Sequence, residues 1–436
     1  MITPLSSLPT TCPEDPAGAQ RLMSVDALRG FDMFWIVGAN SLVYALNRMS
    51  QTETTRFLAS QLEHVEWEGF RFYDLIFPLF IFIVGVSLVF SLNRTLTEHG
   101  MAGAVTRVAR RTVLLFVIGI LYSGGLSSEW PDLRLMGVLN RIALVYGATG
   151  LLFCLFKPRT LAGITILLLA GYWALPTSVP IRDVQLTKPA LAQLAVERGD
   201  AEAADLLNAV GNPSAIAGSP AWAAAERLFK NTTNRITGQF GKGHNLANHF
   251  DFRFLPGRKY DVFFDPEGLL STFPAVATCL LGVFAGLLLR SQGVPEMRKV
   301  LLLVGLGLAG VALGWLWNLQ FPVIKKIWTS SFVLVAGGYS AILLALFYLV
   351  VDLWKFKWWC QPFVWVGTNS ITIYVVSHIL GGFRSLAELF VGGGVRRLLN
   401  DSVATGAGDL VVSFVGLLLV FCFVRFLYRR KIFLRL

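Results

Sequence analysis

Ten stretches of this chain are long and apolar enough to cross a lipid bilayer, and they constrain the fold more than any motif. A spanning helix needs about 20 mostly apolar residues. Only 15% of the 436 residues are charged, against about 25% in soluble proteins. We therefore predict an all-α integral membrane protein, a polytopic bundle of about ten transmembrane helices with a long extracytoplasmic loop. The predicted spans are 27–47, 73–93, 108–126, 135–156, 161–179, 267–290, 299–320, 328–352, 362–384 and 408–428.

The basic residues predict the orientation of these spans. Under the ten-span count most of them fall on one side, including Arg21, Arg94, Arg110, Lys157, Arg159, Arg290, Lys299, Arg429 and Arg435. Because cytoplasmic loops of membrane proteins carry an excess of Lys and Arg, both termini are predicted to be cytoplasmic. The loop around His64 is then extracytoplasmic. The net charge of +11 follows from these clusters and requires no nucleic-acid partner.

Four regions follow from this count. Residues 1–20 are Pro-rich and polar, which predicts a disordered cytoplasmic tail without a cleavable signal peptide. Residues 21–179 hold the first five spans, and 267–436 hold the last five with a cytoplasmic C-terminus. Residues 180–266 are predicted to cap the outer face. Within them 188–230 is an Ala-rich insertion with a helical pattern. The five cysteines are scattered without a CxxC pair, so we predict no metal site.

A polar stretch around Glu63-His64 separates the first two spans, and Asp74 opens the second span. Histidine is the side chain best suited to move a proton near neutral pH. By position alone, an exposed interfacial loop explains His64 equally well. An acid at the start of a helix is also favoured by the helix dipole, so Asp74 has a structural explanation too.

Further polar residues lie in or beside the predicted spans, where an ionisable group is costly. Each has a structural explanation, such as a helix cap or a hydrogen-bonded core residue. Together they predict one hydrophilic cavity shared by several helices, as a binding or catalytic chamber requires. These residues are Arg29 and Asn40 in the first span, Asn140 and Arg141 in the fourth, Asp265 and Glu267 before the sixth, and Asn369 and His378 in the ninth.

With these residues in place, the chain resembles the heparan-α-glucosaminide N-acetyltransferase family, transmembrane acyltransferases with bacterial relatives. The similarity is spread over nearly the whole chain, in blocks that keep the family's order. The matching blocks are 21–30, His64 with Trp67 and Gly69, DLIFPLF at 74–80, GVLNRI at 137–142, 255–257, DPEGLLST at 265–272, KIWTSS at 326–331, and GTNSI at 367–371 with His378.

The resemblance implies an acetyltransferase that uses cytosolic acetyl-CoA and acetylates the amine of a terminal glucosamine on the far side of the membrane. It implies His64 as the catalytic histidine, Asn40 as an active-site asparagine, and a homodimer. Two departures concern the acceptor side: the mammalian luminal N-terminal domain and preceding span are missing, and 180–255 is unlike the family's loop. The absence of a targeting segment suits a bacterial inner membrane.

For this activity we expect two groups of supporting residues. The acceptor pocket would use Asp74, Glu267, Asn369, His378, Asp265 and Trp67. Acetyl-CoA would be bound by Arg29, Arg107, Arg111, Asn140 and Arg141, without a metal. Either the amine attacks the thioester directly with His64 as base, or His64 is acetylated first, and the sequence does not separate the two. The alternatives are an amino-sugar transporter, an O-acyltransferase of a cell-envelope glycan, and a non-catalytic membrane scaffold.

Overall fold

The computed structural model describes residues 22–127, 129–209 and 218–434. The described chain is mostly helical, so the predicted all-α class is confirmed, and seven of its helices are long and apolar enough to cross a membrane. The tail 1–20, Arg21 and Arg435 lie outside the described residues. The first helices are α1 (Met23–Phe34), α2 (Asn40–Ser50), α3 (Glu53–Gln61), α4 (Phe72–Tyr122), α5 (Val138–Leu155) and α6 (Pro158–Ser178). They are followed by α7 (Lys188–Glu197), α8 (Ala201–Asn208), α9 (Pro220–Asn231), α10 (Leu246–Phe254), α11 (Thr272–Arg290) and α12 (Glu296–Trp317). The last are α13 (Ser330–Phe347), α14 (Gln361–Thr368), α15 (Ser370–Ile379), α16 (Phe383–Val391), α17 (Gly394–Ser402) and α18 (Ala407–Arg429).

The count of seven differs from the ten predicted spans partly because two of those spans lie in one long helix. Helix α4 has 51 residues and contains Gly100 at φ 68°. Arg107 NH1 donates to Thr95 Oγ1 over 2.7 Å. In a straight helix these residues would be about 18 Å apart along the axis. The chain therefore reverses at Gly100, and its two halves correspond to the predicted spans 73–93 and 108–126.

The first and ninth predicted spans are interrupted helices. The first consists of α1, a π-helical segment (Trp35–Ala39) and α2, with Gly38 at φ 129° inside the break. The ninth consists of α14 and α15, which meet at Asn369. Such breaks are tolerated in a membrane where neighbouring groups satisfy the freed backbone. They place Asn40 and Asn369 in the interior of the bundle at points where the helix changes course.

The described residues of the segment 180–266, namely 180–209 and 218–266, fold into a small cap with its own core. Two short antiparallel pairs, β1 (Ile181–Arg182) with β2 (Arg235–Ile236) and β3 (Phe240–Gly241) with β4 (His244–Asn245), frame helices α7 to α10. The buried side chains of the cap include Leu186, Leu191, Leu207, Leu228, Phe263 and Phe264. Trp67 Nε1 donates to Phe240 O over 2.8 Å, which ties the cap to the His64 loop. We call this end of the bundle the capped face and the opposite end the open face.

Glycines allow α1 and α14 to pack in direct backbone contact. A Cβ placed on Gly30 would lie 1.7 Å from Phe363 O, and one on Gly367 would lie 1.9 Å from Asp26 O. Small residues at such crossings let membrane helices approach closely. This contact brings the first and ninth spans together and thereby fixes the position of both helix breaks.

Replacing Gly30 with alanine should destabilise the bundle, because the added methyl group meets main chain that cannot move aside. We expect a loss of about 1–3 kcal/mol, the usual cost of overpacking. The measurement is the thermal unfolding midpoint in detergent. Gly163→Ala is the matched control, because nothing lies within 4 Å of a Cβ there. Equal midpoints for both variants would show that the α1–α14 contact is not tightly packed.

Candidate active site

The predicted catalytic histidine forms a short contact with the predicted supporting acid. His64 Nδ1 lies 2.8 Å from Asp74 Oδ1. The Asp74 side chain is 1% exposed, whereas that of His64 is 52% exposed. Asp74 is the third residue of α4, and its Oδ2 also accepts from the backbone N–H groups of Val65 and Arg71, both over 3.2 Å. One carboxylate therefore caps α4 and fixes the loop both next to the imidazole, at Val65, and at its last residue, Arg71.

Lys325 is the third member of this constellation. Its Nζ lies 3.3 Å from Asp74 Oδ1 and 3.1 Å from His64 Nδ1. A carboxylate beside an ammonium group accepts hydrogen bonds, so the shorter His64 contact is an Nδ1–H donated to Asp74. That tautomer leaves Nε2 as the basic ring nitrogen. Burial lowers the pKa of Lys325, and the charge of Asp74 opposes that shift.

The imidazole lines a cavity of about 330 Å³, which we call the His64 chamber. Its size is in the range of small-molecule sites. Polar groups converge at the capped face, and the chamber continues inward between apolar side chains such as Met33, Phe77 and Trp328. The polar and aromatic lining residues include His64, Trp67, Tyr73, Asp74, Arg134, Tyr260, Glu267, Lys325 and Lys326.

Asn40 reaches the chamber through a tyrosine. Its Nδ2 lies 3.4 Å from the Tyr73 hydroxyl, and Tyr73 lines the chamber with its ring centroid 4.8 Å from that of His64. Asn40 directly follows the π-helical break around Gly38. The break therefore positions the Asn40 amide behind the Tyr73 hydroxyl. Of these two groups, the hydroxyl lies nearer to the His64 imidazole.

An ion pair anchors the second acid of the chamber. Arg134 donates to Asp265 through Nε and NH2 over 2.8 and 2.7 Å, and NH2 also lies 2.7 Å from Glu267 Oε2. Burial works against the charge of Arg134, but these two acids outweigh it and raise its pKa. Burial, aided by the charge of Asp265, raises the pKa of Glu267 to about 7. Glu267 lines the chamber and Asp265 supports it from behind, fully buried.

Three predicted cofactor-binding arginines meet at the open face. Arg29, Arg107 and Arg111 line a cavity of about 630 Å³, which we call the arginine cavity. Arg29 contacts Asp26, Gly367 O and Ser87, and Arg111 lies over the Tyr146 ring at 4.7 Å. Guanidinium groups suit phosphate oxygens geometrically and electrostatically. The cavity therefore has the charge that the anionic part of a nucleotide requires.

The two cavities lie back to back. Each is lined by the same residues at its inner end, namely Phe80, Leu139, Ile142, Ser370 and Ile371. These five side chains form a wall shared by the arginine cavity and the His64 chamber. The basic cavity on the open face and the imidazole chamber on the capped face thus meet at this shared wall.

Four predicted site residues lie elsewhere. Asn369 lines the arginine cavity rather than the acceptor pocket, and His378 stacks on Tyr122 with centroids 3.9 Å apart, away from the lining of both cavities. Asn140 Nδ2 donates to Phe116 O. Arg141 is fully buried, donates to Gly268 O and Ser271, and lies over the Trp328 ring. These four side chains pack between helices or line the other cavity, and their roles toward acetyl-CoA or the acceptor stay predictions.

Four chamber residues were absent from the predicted site. Lys325 and Lys326 precede the predicted span 328–352, and the only sequence signal for them is that 326 opens a block of the resemblance. Tyr73 precedes Asp74, and its position in the first turn of α4 gave no separate signal. Arg134 lies in a loop before α5, and its role in the chamber becomes evident only from its ion pair with Asp265 in the structure.

Fold and site together define a polytopic membrane protein with a histidine–carboxylate–lysine constellation in a chamber that backs onto a basic cavity. Residues 21–204 match the family model described as heparan-alpha-glucosaminide N-acetyltransferase, catalytic. This match confirms the resemblance predicted from the sequence, as a similarity to the catalytic part of the heparan-α-glucosaminide N-acetyltransferases.

Two relatives extend this similarity beyond the matched region. The heparan-alpha-glucosaminide N-acetyltransferase of Homo sapiens is 27% identical over 437 residues, which cover 95% of this chain and 59% of that protein. The protein of the same name from Mus musculus is 26% identical over 391 residues, covering 84% of this chain and 55% of the relative. The chain thus spans little more than half the length of the curated relatives it matches.

The pKa of Glu267 gives a spectroscopic prediction. With a pKa of about 7, its carboxyl group is protonated below neutral pH and ionises as the pH rises through 7. Infrared difference spectra of the purified protein should show a protonated-carboxyl band that disappears around pH 7 and is weaker in Glu267→Gln.

Asp251 is the control for that experiment, because burial also raises its pKa to about 7. Asp251→Asn should remove a separate part of the same band and leave the Glu267 part in place. A Glu267 band that has already vanished at pH 5 would show that Arg134 governs this carboxyl group more strongly than burial does.

Proposed function

We propose that this protein is a membrane acetyltransferase. It takes an acetyl group from acetyl-CoA at the open face and transfers it to the amine of a glucosamine-type sugar at the capped face. The observation that carries the proposal is the His64–Asp74–Lys325 constellation in a chamber that meets the arginine cavity across one layer of side chains. The names of both relatives support N-acetyl transfer as the reaction.

The orientation proposed here has the open face and both termini in the cytoplasm of a bacterial inner membrane. The donor's nucleotide cannot cross a hydrocarbon core about 30 Å thick, so it has to be held at one face while the acetyl group moves inward. Arg107 and Arg111 line the cavity at the face where the positive-inside rule puts the cytoplasm. We also propose that the protein acts as a homodimer.

The acceptor has to lose two protons before an amide can form. A protonated sugar amine carries no lone pair, so one proton leaves first, and Glu267 in the same chamber is suited to receive it near neutral pH. As the amine nitrogen bonds to the acetyl carbon and the carbon–sulfur bond breaks, His64 Nε2 takes the second proton. The leaving thiolate recovers that proton. Acetyl-CoA supplies the activated acyl group, and side chains of this chain carry out the proton transfers.

The supporting residues hold these groups in place. Asp74 accepts Nδ1–H of His64 and thereby fixes the tautomer with a free Nε2, in the manner of other nucleophile–base–acid constellations. Lys325 shares the same carboxylate and fixes its rotamer. The Tyr73 hydroxyl, held by Asn40, provides a hydrogen-bond donor for the oxygen that gains charge during attack.

Removal of the imidazole should abolish transfer without unfolding the protein. Purified full-length chain is incubated with radiolabelled acetyl-CoA and glucosamine, and released thiol and labelled sugar are measured. His64→Ala should lower the rate by about 10²–10⁴, the usual contribution of a general base. His99→Ala is the matched control, since His99 is exposed at the Gly100 turn. Normal transfer by a folded His64→Ala variant would refute this assignment, and labelled protein formed without acceptor would indicate an acetyl-histidine step.

Donor binding should depend on the arginines that line the open-face cavity. Arg107→Gln and Arg111→Gln should each raise the KM for acetyl-CoA by roughly tenfold, because each loses a charge-assisted hydrogen bond. Arg110→Gln is the control, because Arg110 is exposed and is not among the described residues lining that cavity. The KM for the sugar should stay constant. A tenfold change in Arg110→Gln would show a general effect of positive charge instead.

The back-to-back cavities also fit an occluded transporter for amino sugars, which needs a polar site between two gates. Proteoliposomes loaded without acetyl-CoA distinguish the two functions. Labelled glucosamine that enters them in exchange for internal glucosamine, with no thiol released when acetyl-CoA is added, would favour transport. Thiol release that requires an amine favours acetyl transfer, and release with a neutral sugar alcohol favours O-acylation.

A further inference from the structure

An apolar groove lies on the outside of the bundle, between α2 and α18. It has a volume of about 390 Å³, and all of the described side chains that line it are apolar. Helix α18 is long and apolar enough to cross a membrane, and Phe414 and Leu46 in the groove are 60% and 40% exposed. The groove therefore opens toward the acyl chains of a bilayer. Its lining residues are Leu42, Val43, Leu46, Leu410, Val411 and Phe414.

Three arginines meet at one end of this groove, around the carboxylate of Asp409. Arg48 of α2 lies 2.8 Å from Oδ2, while Arg384 of α16 and Arg396 of α17 lie 3.2 and 2.7 Å from Oδ1. The Asp409 side chain is 6% exposed, whereas those of the arginines are between 33% and 50% exposed. One buried carboxylate thus holds three guanidinium groups from three helices at an accessible surface.

These arginines carry more charge than their acidic partners cancel. Besides Asp409, the acid paired with them among the described residues is Glu388, which is half exposed and 3.7 Å from Arg384, and such a pair contributes little. Three positive charges against two negative charges leave an excess of one. Arg48 and Arg396 each contact Asp409 through a single nitrogen, although a guanidinium has five N–H donors. The cluster can therefore donate to one further anion, and the single charge of a phosphate diester would balance it.

The arginine cluster and the apolar groove are continuous along both helices. Arg48 follows Leu46 by two residues on α2, and Asp409 directly precedes Leu410 on α18. The groove extends along α18 to Phe414, five residues beyond Asp409, which is about 7.5 Å along a helix axis. A molecule with an anionic head and an apolar chain would therefore contact both parts at once.

The two helices that supply Arg384 and Arg396 place the cluster at the membrane surface. Helices α16 and α17 have nine residues each, which is too short to cross a bilayer. The side chains of Leu389, Phe390 and Leu398 on these helices are between 66% and 80% exposed. Helices that expose apolar side chains beside basic ones are typical of the headgroup region. The phosphates of phospholipids lie at this depth.

We infer that this site binds one anionic phospholipid, with its phosphate on Arg48, Arg384 and Arg396 and an acyl chain in the groove between α2 and α18. A headgroup without a cation avoids repulsion by the arginines, so phosphatidylglycerol is expected to bind more tightly than phosphatidylcholine. The bound lipid would hold α2, which begins at Asn40, against α18. The inference goes beyond the proposed acetyl transfer and does not depend on it.

Lipid binding is measured by native mass spectrometry on the full-length chain in detergent, without acetyl-CoA or sugar. The protein is titrated with phosphatidylglycerol, and the dissociation constant of the first bound lipid should rise about tenfold in Arg396→Gln, by loss of a charge-assisted contact. Arg397→Gln is the matched control, because Arg397 is exposed and is not one of the described arginines that contact Asp409. It removes the same charge from the same helix and should leave the constant unchanged.

The groove is tested separately from the charge. Leu46→Trp should fill the groove and weaken phosphatidylglycerol binding by a similar factor, and Leu46 is exposed enough to be enlarged without disturbing the core. Leu418→Trp is its control, because Leu418 is 50% exposed on the same helix as Phe414 and is not among the described residues lining the groove. Glycerol 3-phosphate, which offers the phosphate without an acyl chain, should not compete.

The inference is supported if Arg396→Gln and Leu46→Trp weaken binding while both controls keep it. Unchanged binding in Arg396→Gln, equal loss in Arg397→Gln, equal affinity for phosphatidylcholine, or equal competition by glycerol 3-phosphate overturns it. Unchanged lipid binding in Leu46→Trp also overturns it, and dimers that dissociate in that variant would assign the groove to a second copy of the chain. Unfolding midpoints establish that the variants are folded, and Arg48→Gln replaces Arg396→Gln if the latter does not fold.

Discussion

The buried carboxylate of Asp74 is the interaction on which the rest of the site depends. It accepts from the His64 imidazole, from Lys325 and from two backbone N–H groups, and it begins the longest helix of the bundle. A buried carboxylate is costly unless its oxygens are fully paired. Because its partners come from the His64 loop, the start of α4 and the loop before α13, satisfying this one charge brings those three segments together.

Glycine contacts and helix breaks shape the interior around that charge. The close approach of α1 and α14 at Gly30 and Gly367 brings two interrupted spans side by side. At each break the bundle interior receives an asparagine, Asn40 toward the capped face and Asn369 toward the open face. The two cavities therefore lie near the points where regular helix is interrupted, as irregular backbone in a membrane generally lines a cavity.

The sequence was sufficient to predict the membrane class, and it indicated His64 and Asp74 as site residues without establishing that they pair. A run of about 20 apolar residues has few alternatives to crossing a membrane. His64 lies only ten residues before Asp74, on one short loop. Lys325 could not be predicted, since it contacts Asp74 from 251 positions away. Asn369 and His378 share a predicted span, yet the break after α14 and the stacking on Tyr122 separate them from the acceptor side. Hydropathy reports whether a segment is buried in lipid, but not which residues from distant segments meet.

The thin layer formed by Phe80, Leu139, Ile142, Ser370 and Ile371 has a consequence for the energised membrane in which such a protein would sit. Four of these five side chains are apolar or aromatic, and an ion pays heavily to leave polar surroundings for such a barrier. Two polar vestibules can thus approach each other closely without offering protons or sodium ions a continuous path. A bundle built this way remains electrically insulating, although the insulating layer is only a few side chains thick.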